Sequence, residues 1–167
     1  GRQEYFDIRD KAFNELSDIV RKSFQTVKSF AVTLDKVTSG HVPYTVIMTY
    51  YFKDGKIHIL LNRVHPMTSD NYDGVGTAKM VIETLRDTLR VTKETLANKC
   101  HHFVYDGVYA TEQERLTGGG LKLVDHFARE LGLQPGDVTG NWDMSHLMQL
   151  AYGDLIKATD KPYFKNL

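Results

Sequence analysis

The sequence predicts an α/β fold: one mixed five-stranded sheet, its first three strands antiparallel, flanked by helices. Three observations carry this. Three consecutive runs rich in β-branched and aromatic residues follow an opening amphipathic segment. From about residue 76 onward, helical and strand patterns alternate strictly. The composition, 41% hydrophobic and 25% charged over 167 residues, is that of one ordinary globular domain able to bury a core.

The elements follow in order. Ile8, Ala12, Leu16, Ile19, Val20 and Phe24 recur at steps of three or four and predict a helix over 5–28. A first strand, 30–34, ends at Asp35. The second, 44–52, holds Val46, Ile47, Tyr50, Tyr51 and Phe52, and Lys53-Asp54-Gly55-Lys56 supplies a hairpin turn into a third, 57–61. After a polar stretch, Ala78, Ile82, Leu85, Leu89, Thr92 and Leu96 mark one stripe of a long helix, roughly 76–98. The strand 102–105 ends at Asp106. A Gly118-Gly119-Gly120 loop leads into a helix over 121–131, which Gly132 closes. A short strand over 137–142 precedes Asp143, which opens a last helix carrying Leu147, Leu150, Ala151 and Leu155. Helix, then β-β-β-α-β-α-β-α, is the ribonuclease H-like order, antiparallel first and parallel afterwards. No repeat or long linker divides the chain, so 1–167 reads as a single domain with its core over 30–157.

Charge and cysteine content narrow the function. Lys and Arg number 21 and so do Asp and Glu, which excludes a stand-alone binder of nucleic acid driven by charge. One cysteine, Cys100, permits neither an internal disulfide nor a four-cysteine zinc site, and a reducing compartment, nucleus or cytoplasm, is expected. No apolar run approaches the ~20 residues of a membrane span, so no membrane partner is expected. Gly1-Arg2-Gln3-Glu4 has no signal-peptide core. Both ends read as cut, as in a domain excised from a longer chain.

The chemistry sits at three aspartates, Asp35, Asp106 and Asp143, each placed at a predicted strand end. If strands one and four are adjacent and parallel, Asp35 and Asp106 lie ~5 Å apart across the ladder. Two carboxylates so placed repel, and a divalent cation is the usual compensation. Hard oxygen ligands select Mg²⁺ or Mn²⁺, which can activate water or a 3′-hydroxyl in phosphodiester chemistry. The plainer readings are an Asx-turn at Asp35 and a helix cap at Asp143. His146, three residues after Asp143, is a metal ligand or general base on one reading and a core histidine on the other. His101 and His102 open a strand and point to opposite faces, so they cannot chelate together. Cys100 reads as a small buried side chain, and Gly118 to Gly120, without a following Lys and Ser/Thr, as a connection. Tyr50, Tyr51 and Phe52 offer rings for stacking bases, yet alternation sends at least half of them into the core.

Several of these segments carry a resemblance. Thr33-Leu34-Asp35-Lys36-Val37-Thr38-Ser39, Phe103-Val104-Tyr105-Asp106 and Ser145-His146-Leu147-Met148-Gln149-Leu150 resemble, in order and spacing, motifs of the ribonuclease H-like domain of hAT-superfamily transposases and of host proteins domesticated from them. The resemblance covers roughly residues 10–157. It implies metal-dependent DNA cleavage and strand transfer in the nucleus, with Asp35 and Asp106 as the first two members of an Asp-Asp-Glu triad. Mg²⁺ or Mn²⁺ is the implied cofactor, and DNA is engaged through further domains of the full-length protein. The family's third carboxylate, a Glu, lies beyond a helical insertion after the last helix. Val108, Tyr109 and Ala110 are bulkier than the family's residues after the second Asp. Asp143 stands where many members carry Cys. The two expectations are a catalytic core using Asp35, Asp106 and Asp143, or a silent derivative that serves as a protein-interaction or scaffolding module, with a protein partner or a second copy.

Overall fold

The computed structural model describes residues 2–68, 73–105 and 123–159. Its sheet comprises β1 (Phe30–Ser39), β2 (Val42–Lys53), β3 (Lys56–Pro66), β4 (Cys100–Tyr105) and β5 (Thr139–Trp142). The spatial order is β3-β2-β1-β4-β5. β1 pairs antiparallel with β2, and β2 with β3, whereas β1 with β4 and β4 with β5 are parallel. This is the mixed five-stranded, ribonuclease H-like arrangement that the order of patterns predicts. The helices are α1 (Arg2–Gln25), α2 (Gly74–Leu89), α3 (Lys93–Lys99), α4 (Leu123–Glu130) and α5 (Met144–Thr159).

Several expectations need correction: the helix predicted over 5–28 ends at Gln25, and the third strand, predicted over 57–61, runs on to Pro66. β1 does not end at Asp35. It continues to Ser39, zipped against β2 down to Ser39 opposite Val42, because Gly40 and His41 both take positive φ (57° and 66°) and make a tight hairpin turn. Asp35 therefore lies within a strand, opposite Val46. The helix over 76–98 is two helices. Arg90 adopts a left-handed conformation that closes α2, and the Thr92 hydroxyl accepts the Thr95 N–H at 3.1 Å to open α3. The stripe runs through the break because Leu89 and Leu96 are both buried, in phase on either side of it.

The predicted turn chemistry is present. Asp54 and Gly55 take φ of 51° and 74°, the primed geometry that fits the right-handed twist of a two-residue hairpin. Gly132, at φ 77°, closes α4, with the Leu133 N–H donating to the Ala128 carbonyl at 2.9 Å.

The core lies on one face of the sheet. Phe30, Val32 and Leu34 of β1 are buried and alternate with half-exposed neighbours, and Phe103 and Tyr105 of β4 do the same. Their cluster includes Ala78, Val81 and Leu85 of α2 and Val124, Phe127 and Ala128 of α4. Phe103 meets Phe127 edge to face at 4.7 Å. At the end of α1, Phe24 packs edge-on against Phe30 and Tyr51, which ties that helix to the sheet. Further towards the start of α1, Tyr5, Ile8 and Ile19 are exposed, so among its described side chains the predicted stripe enters the core only at Phe24.

Candidate functional site

Parallel pairing sets the level of the strands. Leu34 of β1 is opposite Tyr105 of β4, and Tyr105 is opposite Trp142 of β5. Asp35, within β1, and Asp143, one residue past the end of β5, each follow one of these paired residues in the chain, and the two strands, separated by β4, are roughly 10 Å apart at the strand spacing. Asp106 follows Tyr105 in sequence and lies outside the described residues.

Because Leu34 is buried, alternation turns Asp35 to the opposite face of the sheet. Its half-buried carboxylate has no hydrogen bond or ion pair among the described residues, so neither Lys36 nor Lys56 neutralises it. Asp143 is differently employed. Its N–H donates to the Tyr105 carbonyl at 2.9 Å, and its Oδ1 accepts the Ser145 N–H at 2.9 Å. It is the cap of α5, the plainer of its two readings, and keeps Oδ2 for any further ligand. His146 falls in the first turn of α5, and its side chain is outside what is described. Among the described residues, no three His, Cys, Asp or Glu side chains gather as a metal-holding group.

Of the remaining candidates, His101, His102 and Cys100 resolve as structural. His101 and His102 diverge as expected: His101 Nε2 lies 3.0 Å from the Asn98 carbonyl, and His102 Nδ1 lies 2.8 Å from Thr139 Oγ1. Cys100 is fully buried, and burial pushes its thiol far up, away from the reactive thiolate. Of the three rings on β2, Tyr51 is in the core and stacks on His58 at 5.1 Å, Tyr50 is half-exposed and Phe52 is exposed. The Gly118 to Gly120 loop lies outside the described residues. A concavity of about 1050 Å³ lies at the start of β1 between Lys28, Ala31, Tyr50, Phe52 and His102. It is therefore at the start of that strand, away from Asp35 in its middle.

Two features escape sequence reasoning. The first is a polar seam between β2, β3 and α2. His65 Nε2 lies 2.8 Å from Thr84 Oγ1, and the Thr88 hydroxyl reaches the Thr84 carbonyl at 2.8 Å and Asn62 Oδ1 at 3.1 Å. Burial, then the Arg63 charge, holds His65 below the ordinary histidine range. Thr84 and Thr88, four apart on the inner side of α2, are the sequence signal for this seam. The second is the outer face of β2 and β3, where Phe52, Ile57, Ile59, Leu61 and Val64 are all exposed. Alternation reveals that such a face exists but not whether anything covers it.

No helix among the described residues is long and apolar enough to cross a membrane. No protein-family model and no curated protein matches the chain. Among solved structures it is similar to the Aquifex aeolicus member of the Ppx/GppA protein family, at 16% identity and a TM-score of 0.36. That likeness covers 70% of this chain and 36% of that protein, so the chain spans about a third of its length. A likeness so remote carries no functional argument, and the reading of the site rests on the residues themselves.

Proposed function

We propose that the chain is the ribonuclease H-like core of a hAT-type transposase, or of a host protein derived from one, built for metal-dependent DNA cleavage and strand transfer. The observation that supports this is the level register of β1, β4 and β5, which sets positions 35 and 143 next after paired residues at the end of the parallel ladder, while Asp106 follows Tyr105 in sequence. Asp35 fits the part of a hard-cation ligand, since it is a half-buried carboxylate with no counter-charge among the described residues. Asp35 and Asp106 would hold Mg²⁺ or Mn²⁺, with the free oxygen of Asp143 beside them. The ion, when bound, lowers the pKa of a water or 3′-hydroxyl and takes up charge on the leaving oxygen. The chain's own part is to hold the carboxylates level, which the parallel ladder does through backbone hydrogen bonds. DNA affinity comes from other domains in the nucleus, because a neutral chain gains little from counterion release.

Mn²⁺ titration by calorimetry or paramagnetic NMR tests this reading on the wild type, Asp35→Asn and Asp106→Asn. Binding in the wild type and its loss in both variants is the expected result, followed by metal-dependent cleavage of DNA substrates. Absence of binding at millimolar metal would falsify it. A second reading, a silent interaction module, is favoured by the use of Asp143 as a helix cap and by the outer face of β2 and β3, which no other described element covers.

A further inference from the structure

The outer face of the β2–β3 hairpin is built of directly paired apolar rungs: Phe52 with Ile57, Tyr50 with Ile59, Met48 with Leu61 and Val46 with Val64. Leu61 and Val64 are three residues apart and would point to opposite faces in a regular strand. A register shift between Ile47 and Met48 puts both on the same face, so the strip stays apolar along its whole length. None of its eight side chains is charged. Phe52, Ile57, Ile59, Leu61 and Val64 are between 46% and 72% exposed, and no described element covers them. A strip two strands wide and ~20 Å long matches the footprint of one helix ~10 Å across.

The same chain carries a helix of matching length with an unsatisfied face. α5 has 16 residues, ~24 Å. Met144, Met148 and Tyr152 fall at steps of four on one side of it, each at least 65% exposed. None of the principal packings between described elements involves α5. Methionine, unbranched and pliable, suits a contact with an irregular sheet face.

We propose that two copies of this chain associate reciprocally, each laying the Met144, Met148 and Tyr152 face of its α5 on the β2–β3 strip of the other. The contact is made between molecules because α5 follows β5 after one residue, Asp143, which is tied to Tyr105 and caps the helix. β5 stands three and four places from β2 and β3, ~14–19 Å away across the sheet, so the helix is anchored at the far edge from the strip. The two faces of both copies together remove on the order of 2000 Å² from water, the size of a stable interface. Each copy gives and receives the same contact, so the pair closes on a twofold axis. The inference is independent of the metal site.

Sedimentation velocity at micromolar concentration tests it with wild type, Ile59→Lys and Met148→Lys. Both positions are exposed, and circular dichroism and thermal melting check that each variant folds. The wild type sediments as a dimer and each variant as a monomer. An equimolar mixture of the two variants recovers a weaker dimer than the wild type, because one of the two contacts, intact helix on intact strip, is restored. A monomeric wild type overturns the proposal, as does a dimer indifferent to either lysine. Mixing Ile59→Cys with Met148→Cys under oxidation gives a covalent dimer of the two variants, and Cys100, being buried, does not compete. If instead the double variant Ile59→Cys/Met148→Cys cross-links within one chain and the mixture gives no dimer, the helix covers its own sheet and the proposal fails.

Discussion

Gly140→Ala offers a sharp test of how the sheet end is held. Gly140 is on β5, opposite Phe103, beside the ring of Tyr105, which is only 2% exposed. A Cβ added there would lie 2.5 Å from both Cε1 and Oη of that ring and 2.8 Å from Cζ. Carbon atoms in contact settle at ~3.5–4.0 Å, so the ring or the strand must move by about 1 Å. The ring has no free direction within a closely packed core, and overpacking of this kind costs ~1–3 kcal/mol. At ~2 kcal/mol the melting temperature falls by ~4–8 °C for a chain of this size. Urea unfolding measures the loss directly. Replacing the ring identifies the cause: Gly140→Ala costs less in a Tyr105→Leu background, with a coupling of at least ~1 kcal/mol between the sites. A Gly140→Ala variant within ~0.5 kcal/mol of wild type, or strictly additive losses, would refute the close approach of β5 to Tyr105. The consequence reaches the site, because the Tyr105 carbonyl holds the Asp143 amide.

Three further outcomes are expected. His65 has a folded pKa below its unfolded value, so its contribution to stability is intact above about pH 6.5 and is lost as the pH falls through the folded value. Urea midpoints measured down the acid side decline for this reason, and His65→Gln makes the decline shallower. Arg90→Gly relieves a left-handed residue at φ 51° and should raise stability by ~0.5–1 kcal/mol, the left-handed cost less the glycine entropy; a loss of stability would count against that conformation. Asp143→Ala removes the cap of α5 and costs that helix ~1 kcal/mol, seen as faster amide exchange in its first turn, whereas Asp143→Ser retains the protection.

Much of the fold was legible because its signals are local. The Asp54–Gly55 turn, the Gly132 stop and the buried alternation of Phe30, Val32 and Leu34 each depend on a few neighbouring residues. Errors arose where distant residues decide. The extent of β1 past Asp35 depends on a second hairpin turn, in which His41 takes a conformation its side chain does not advertise. The break at Arg90 is hidden by a stripe that stays in phase across it. Asp143 was legible as a cap from its place before a helix, and as nothing more definite.

By itself the sequence determined the order of strands and helices, the inward side chains and the aspartates at 35, 106 and 143, because periodicity and turn chemistry act over a few residues. Only the tertiary structure decided that Leu34, Tyr105 and Trp142 are level, and so where Asp35 and Asp143 stand, because ladder register is settled between strands far apart in the chain. It also decided that α2 and α4 cover one face of the sheet while no other described element covers the β2–β3 strip. Alternation gives a strand two faces, and only the packing of distant helices chooses which one becomes the core.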